Sequence, residues 1–102
     1  SDRLNLAVAN NKRNGHFGAL MFIDIDHFKA INDRHGHAVG DEVLVELAQL
    51  LRTSVREMDL VARFGGEEFV VVCPDTPLST AVVLAERLRS TVCSGAVAPA
   101  GP

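Results

Sequence analysis

A chain of 102 residues, 47% of them apolar, suffices for one compact domain with a modest core and leaves no room for a second. The net charge of −3, with acidic and basic residues interspersed, excludes the broad basic face that a nucleic-acid polymer needs. Cys73 and Cys93 are too few for a disulfide framework and form no CxxC pair for zinc, so both are expected to be small buried apolar residues. No apolar run approaches the roughly 18 residues that span a bilayer, and no signal-peptide core opens the chain. The expected location is the cytoplasm, with any membrane anchor in parts of a parent protein outside these residues.

Asp2 to about Asn14 places Leu4, Ala7 and Val8 on one side of a helix and closes with Gly15, which predicts a short amphipathic helix. Ala19 to Ile25 is nearly continuously apolar, as expected of a central strand covered on both faces, and only Asp24 interrupts it. Phe28 and Ile31 predict a short helix, broken by Gly36 within a polar loop that runs to Gly40. Asp41 reads as an N-cap. Leu44, Leu47, Ala48, Leu51 and Val55 then repeat at three- and four-residue intervals and predict a helix from Glu42 to about Val55.

Leu60 to Arg63 and Phe69 to Cys73 are short β-prone runs flanking Phe64-Gly65-Gly66-Glu67-Glu68, which predicts a hairpin whose glycines supply positive φ. Thr76-Pro77 reads as an N-cap and first helical position, with Val82, Ala85, Leu88 and Val92 as the buried face of a last helix. The predicted fold is an α+β two-layer sandwich occupying residues 1–95, followed by a disordered tail at 96–102. Because the chain closes on a helix with no strand returning to the sheet, that fold is expected to be incomplete at its C-terminal strand.

Asp24 and Asp26 at a strand end, with Glu67 and Glu68 at a hairpin tip beside it, form an acidic cluster on a rigid sheet. Carboxylates so close resist joint ionisation unless a cation neutralises them, and hard oxygen ligands select Mg²⁺ or Mn²⁺. Two such ions would suit in-line displacement of pyrophosphate. The main-chain N–H groups from His27 to Lys29 lie at a helix N-terminus that favours an anion, and Lys29 adds a positive charge. Asn32 and Asp41 together offer the donor and acceptors that match a guanine edge. Each feature has a plainer meaning: an aspartate at a strand end is commonly a turn residue, two glycines a tight turn, and Arg56, Glu57 and Asp59 a solvated helix end. His35 and His37 lack a third nearby ligand for zinc. On spacing alone the reading stops at a metal and nucleotide site.

In combination the motifs go further. Phe22-Ile23-Asp24-Ile25-Asp26-His27-Phe28-Lys29-Ala30-Ile31-Asn32-Asp33, then Gly36-His37 and Gly40-Asp41, then Arg63-Phe64-Gly65-Gly66-Glu67-Glu68-Phe69 closely resemble the GGDEF family in its Glu variant, from about Arg3 to Gly95. The resemblance implies a palm-like, ferredoxin-like core shared with nucleotidyl cyclases, and a diguanylate cyclase that condenses two GTP into cyclic dimeric GMP and pyrophosphate. It implies Asp24, the Ile25 carbonyl and Glu67 as metal ligands. Glu68 would lie near the metal or the attacking 3′-hydroxyl, so Asp24, Glu67 and Glu68 form the catalytic set. His27, Phe28 and Lys29 fall around the phosphates, Asn32 and Asp41 on guanine, and Gly66 also belongs to the substrate-binding set.

Arg56-Glu57-Met58-Asp59 resembles the family's RxxD product-inhibition site, and Arg87 the second arginine that supports it. A homodimer is implied as well, because each domain holds one GTP and the product needs two. The family's opening Asp-x-Leu-Thr-Gly-Leu-x-Asn-Arg segment, and its Ser-Ile-Gly strand with a Lys and an Arg for the triphosphate, do not occur here. A domain truncated at both ends, with an exposed sheet edge and an activity of its own left open, is therefore expected. The alternatives are a non-catalytic receptor for GTP or cyclic dimeric GMP, and another palm-type nucleotidyl transferase.

Overall fold

The computed structural model of the chain describes residues 4–13 and 16–92. The expected tail at 96–102, Cys93 and the outermost residues of the predicted first helix lie outside them. The elements in chain order are β1 (Leu4–Arg13), β2 (His16–Ile25), α1 (Phe28–His35), α2 (His37–Ser54), β3 (Leu60–Arg63), β4 (Glu68–Pro74) and α3 (Leu78–Thr91). The strands form one antiparallel four-stranded sheet in the order β1-β2-β4-β3. One buried cluster joins the inner face of the sheet to α2 and α3, which gives the expected two-layer α+β sandwich.

The first element corrects the predicted helix. Leu4, Ala7 and Val8 suit a helix, but Leu4, Leu6 and Val8 also alternate at the strand period and face the core while Asn5, Ala7 and Ala9 face out. Pairing decides between the two periods. β1 runs antiparallel along β2 from Leu4 opposite Ile25 to Arg13 opposite His16, and the Arg89 guanidinium donates to the Leu4 carbonyl at 3.2 Å. β1 thereby covers one edge of β2.

β2 is not sheathed on both faces either. Ala19, Met21, Ile23 and Ile25 are buried against the helices, whereas Phe22 on the opposite face is 41% exposed. A nearly continuous apolar run of seven residues, Ala19 to Ile25, can thus belong to a sheet covered on one side only.

The helices shift their predicted starts. Gly36, at φ 91°, interrupts the chain for a single residue, and α2 resumes at once from His37, so Asp41 lies inside the helix rather than capping it. The apolar stripe of α2 is Val43, Leu44, Leu47 and Leu51, with Ala48 and Val55 packed at its margin. Thr76 is fully buried and does not cap α3: its hydroxyl donates to the Pro74 carbonyl at 2.9 Å, and Pro77 takes the N-cap position. The buried face of α3 is Ala81, Ala85, Leu88 and Val92; Val82, expected inside, is 45% exposed. Among the described residues no helix is long and apolar enough to cross a membrane.

Candidate functional site

The site grows from the end of β2 and the tip of the β3–β4 hairpin. β2 and β4 pair so that Asp24 lies directly opposite Glu68, and period-two alternation puts both on the open face with Phe22 and Val70. The carboxyl of Glu67 lies close to that of Asp24. Burial, then the proximity of Asp24 and the charge of Glu68, push the Glu67 carboxyl above its ordinary value. One oxygen of Asp24, Oδ1, is buried without a protein donor. An uncompensated buried carboxylate oxygen beside a second carboxylate is the electrostatic situation that a hard cation relieves. Among the described residues no three His, Cys, Asp or Glu side chains form a ready metal cage, so main-chain and substrate oxygens would have to complete the shell.

A cavity of about 220 Å³ opens beside these carboxylates, lined by Asn5, Ala7, Phe22, Asp24, Phe64 and Glu68 among others. The hairpin tip is held by Arg63, which the sequence reading had not singled out. Its Nε donates to the Gly65 carbonyl at 3.1 Å and its Nη2 to the Gly66 carbonyl, while Phe64 N–H closes the turn on the Glu68 carbonyl at 2.8 Å. Among the described residues Gly36 is the only glycine with positive φ, so Gly65 and Gly66 do not supply it. Gly65 instead makes room: a methyl group there would come within 2.7 Å of Glu68 Oε1, whereas one on Gly66 would meet nothing within 4 Å.

Beyond Asp24 and Ile25 the chain turns through Asp26 and His27 into α1. His27 adopts the left-handed conformation (φ 58°, ψ 33°) as N-cap and gives no side-chain cap. The first helical hydrogen bond is Ile31 N–H to the His27 carbonyl at 3.1 Å, which leaves the N–H groups of Phe28, Lys29 and Ala30 without acceptors inside the helix. A β-carbon held at positive φ costs about 1 kcal/mol or more, a strain that collects at ligand-binding turns. Lys29 is exposed and Phe28 half-buried.

Asn32 and Asp41 sit on α1 and α2, which pack together. Asn32 Oδ1 is buried with no protein donor, at a cost of about 1–3 kcal/mol in the absence of a ligand, and Asp41 is exposed. Gly40, which the motif reading quoted but gave no role, is buried on α2 against Asn32 and Phe28.

Arg56 and Asp59 form a closed unit. Arg56 Nε and Nη2 donate to the two Asp59 oxygens at 2.9 Å each, and the Arg56 N–H donates to Asp59 Oδ2 at 3.0 Å. Nη2 also donates to Thr76 Oγ1, so the buried threonine ties this turn to the start of α3. The Asp59 side chain is 1% exposed and that of Arg56 34%. Burial works to raise the Asp59 carboxyl, but the hydrogen bonds and charge of Arg56 outweigh it and hold the group below its ordinary value. Burial, followed by the charge of Asp59, raises the thiol of the buried Cys73. Arg87 is exposed on α3, and among the described residues its side chain makes no hydrogen bond or ion pair with Arg56 or Asp59.

Comparison with known proteins places the sequence and the fold. The family model described as "Diguanylate cyclase, GGDEF domain" matches residues 1–97. The diguanylate cyclase DgcP of Pseudomonas aeruginosa is 49% identical over 94 residues, covering 92% of this chain and 14% of that protein. Among solved structures, the diguanylate cyclase SiaD in complex with its activator SiaC, from the same species, superposes with TM-score 0.74 at 44% identity, covering 79% of this chain and 31% of SiaD. The GGDEF domain of DgcB from Caulobacter crescentus in complex with c-di-GMP gives TM-score 0.70 at 37% identity, covering 74% of this chain and 44% of that one. The chain thus spans about a seventh of its curated relative. The ordered motifs, the sheet that presents them and these likenesses converge on one assignment: the chain belongs to the GGDEF family of diguanylate cyclase domains.

Proposed function

We propose that the protein carrying this domain condenses two GTP molecules into cyclic dimeric GMP and releases pyrophosphate. The observation that carries the reading is the meeting of Asp24, Glu67 and Glu68 across the β2–β4 register, with an Asp24 oxygen buried and undonated. Asp24, the Ile25 carbonyl and Glu67 would hold divalent magnesium or manganese, two ions per site, which supply charge neutralisation at the triphosphate and a more acidic 3′-hydroxyl.

The remaining chemistry belongs to the chain. The unpaired N–H groups at the start of α1, around His27, Phe28 and Lys29, receive phosphate oxygens, and the Lys29 ammonium adds charge. Gly66 bears no side chain at the hairpin tip and so lets the backbone come close to the triphosphate. Asn32 and Asp41 pair with guanine, whose N–H donors and carbonyl oxygen suit an amide and a carboxylate better than the reversed pattern of adenine does. Glu68, opposite Asp24, is placed to orient the attacking hydroxyl.

Each domain holds one GTP, so two domains meet in antiparallel fashion and the rate rises more steeply than linearly with enzyme concentration. Arg56 and Asp59, supported by Arg87, form the product-inhibition site. Because the Arg56 fork is already committed to Asp59, a bound product competes with Asp59 for it.

The test is incubation of the protein with GTP and Mg²⁺ and chromatography of the nucleotides, with calorimetric titration of GTP and of cyclic dimeric GMP alongside. Formation of cyclic dimeric GMP establishes the activity. Binding without turnover would instead establish the non-catalytic receptor, and a different nucleotide product another transferase.

A further inference from the structure

The geometry points to Gly40 as the positioning residue for the Asn32 amide, and we propose that its missing side chain, more than any packing need of the fold, sets discrimination between guanine and adenine nucleotides. The inference rests on the reading of Asn32 as a guanine contact.

Gly40 is buried in α2, where a glycine lowers helix stability and alanine would be the better residue. A methyl group at Gly40 would overlap Asn32 Oδ1, lie 2.9 Å from Asn32 Cγ and stand 3.3 Å from Phe28 Cζ. The nearest atoms that a side chain would meet are therefore the end of the Asn32 amide and then the Phe28 ring, at a distance tighter than ordinary contact, and all three belong to side chains. A flexible amide can swing away at little cost, so alanine should be tolerated by the fold yet expel Asn32 from the seam between α1 and α2. Asn32 Oδ1 has no protein donor to hold it, and the space that Gly40 leaves empty is what admits it. Gly36 forms a control within the same segment: at φ 91° it is required by conformation, and a side chain there would meet nothing within 4 Å.

Calorimetric titration with GTP and with ATP, each with Mg²⁺, on wild type, Gly40→Ala, Asn32→Ala and the double variant tests the assignment. Gly40→Ala should weaken GTP binding about tenfold, the equivalent of one hydrogen bond, leave ATP binding unchanged, and melt within a few degrees of wild type. In the Asn32→Ala background the same substitution should change nothing further. A Gly40→Ala protein that binds GTP as wild type does while Asn32→Ala binds it weakly overturns the positioning role alone. An Asn32→Ala protein with undiminished GTP affinity overturns the guanine reading beneath it. A Gly40→Ala protein that unfolds, or loses GTP and ATP equally, makes Gly40 a packing residue and also overturns the proposal.

Discussion

Replacing Arg56 by alanine removes two hydrogen bonds of 2.9 Å to Asp59 and the one to Thr76, leaving a carboxylate that is 1% exposed with a single main-chain donor at 3.0 Å. Breaking a fully buried ion pair costs about 3–5 kcal/mol. The Arg56 side chain is 34% exposed, and solvent screening reduces the expected loss to about 2 kcal/mol at neutral pH. In a domain of this size that lowers Tm by about 8–16 °C.

The sign of the pH dependence is fixed by the shift. The Asp59 carboxyl lies below its ordinary value in the wild type, so its contribution is present above the unfolded value of about 3.9 and is lost as pH falls through the depressed folded value. In the variant burial dominates and raises the same carboxyl, so the variant loses stability as pH rises. The gap between the two proteins should therefore open from about pH 4 upward and nearly close in stronger acid. Urea titrations of both proteins at pH 3 and pH 7 measure it. A gap equal at the two pH values, or below about 0.5 kcal/mol at pH 7, would refute the account of Asp59 as a buried charge held by one arginine.

Glu67→Gln should abolish turnover while the fold persists, because a hairpin-tip residue carries little packing; Mg²⁺-dependent product formation at the wild-type rate would contradict its role as a ligand. Mg²⁺ should raise Tm at pH 7, and the rise should shrink in acid as the raised Glu67 carboxyl takes up a proton; thermal scans at pH 5 and pH 7 with equal shifts would argue against binding there. Leu51→Ala, at a fully buried site on α2, should cost about 3–5 kcal/mol by chemical denaturation, whereas Val45→Ala, 57% exposed on the same helix, should stay within about 0.5 kcal/mol.

The parts legible in the sequence are those in which one local pattern has one outcome. The β2 and β3–β4 strands and the stripe of α2 follow from periodicity, as does that of α3 apart from Val82 read in place of Ala81. The acidic hairpin read beside the end of β2 does lie there, with Glu68 in β4 opposite Asp24. Leu4–Arg13 escaped because its apolar residues satisfy two periods, and a partner in β2 chose between them. The start of α2 escaped because Gly36 bends the chain for one residue where a whole loop was expected. Thr76 looked like a cap by residue type, but Arg56, distant in sequence, claims its hydroxyl. The roles of Arg63 and Gly40 rest on contacts that no composition signal announces, although both lie inside motifs that the sequence does show.

The register that joins Asp24 to Glu68 also fixes when the site comes into being. β1 and β2 are neighbours in sequence, as are α1 and α2, and such local units form on microsecond timescales. β2 meets β4 only after the chain has closed a loop containing both helices and β3, an entropic cost met before any contact repays it. The carboxylates therefore converge on the non-local ladder, and their mutual repulsion falls due at the same step. In kinetic experiments a divalent cation should slow unfolding while leaving the early collapse of refolding untouched, as expected of a cluster assembled by a non-local ladder.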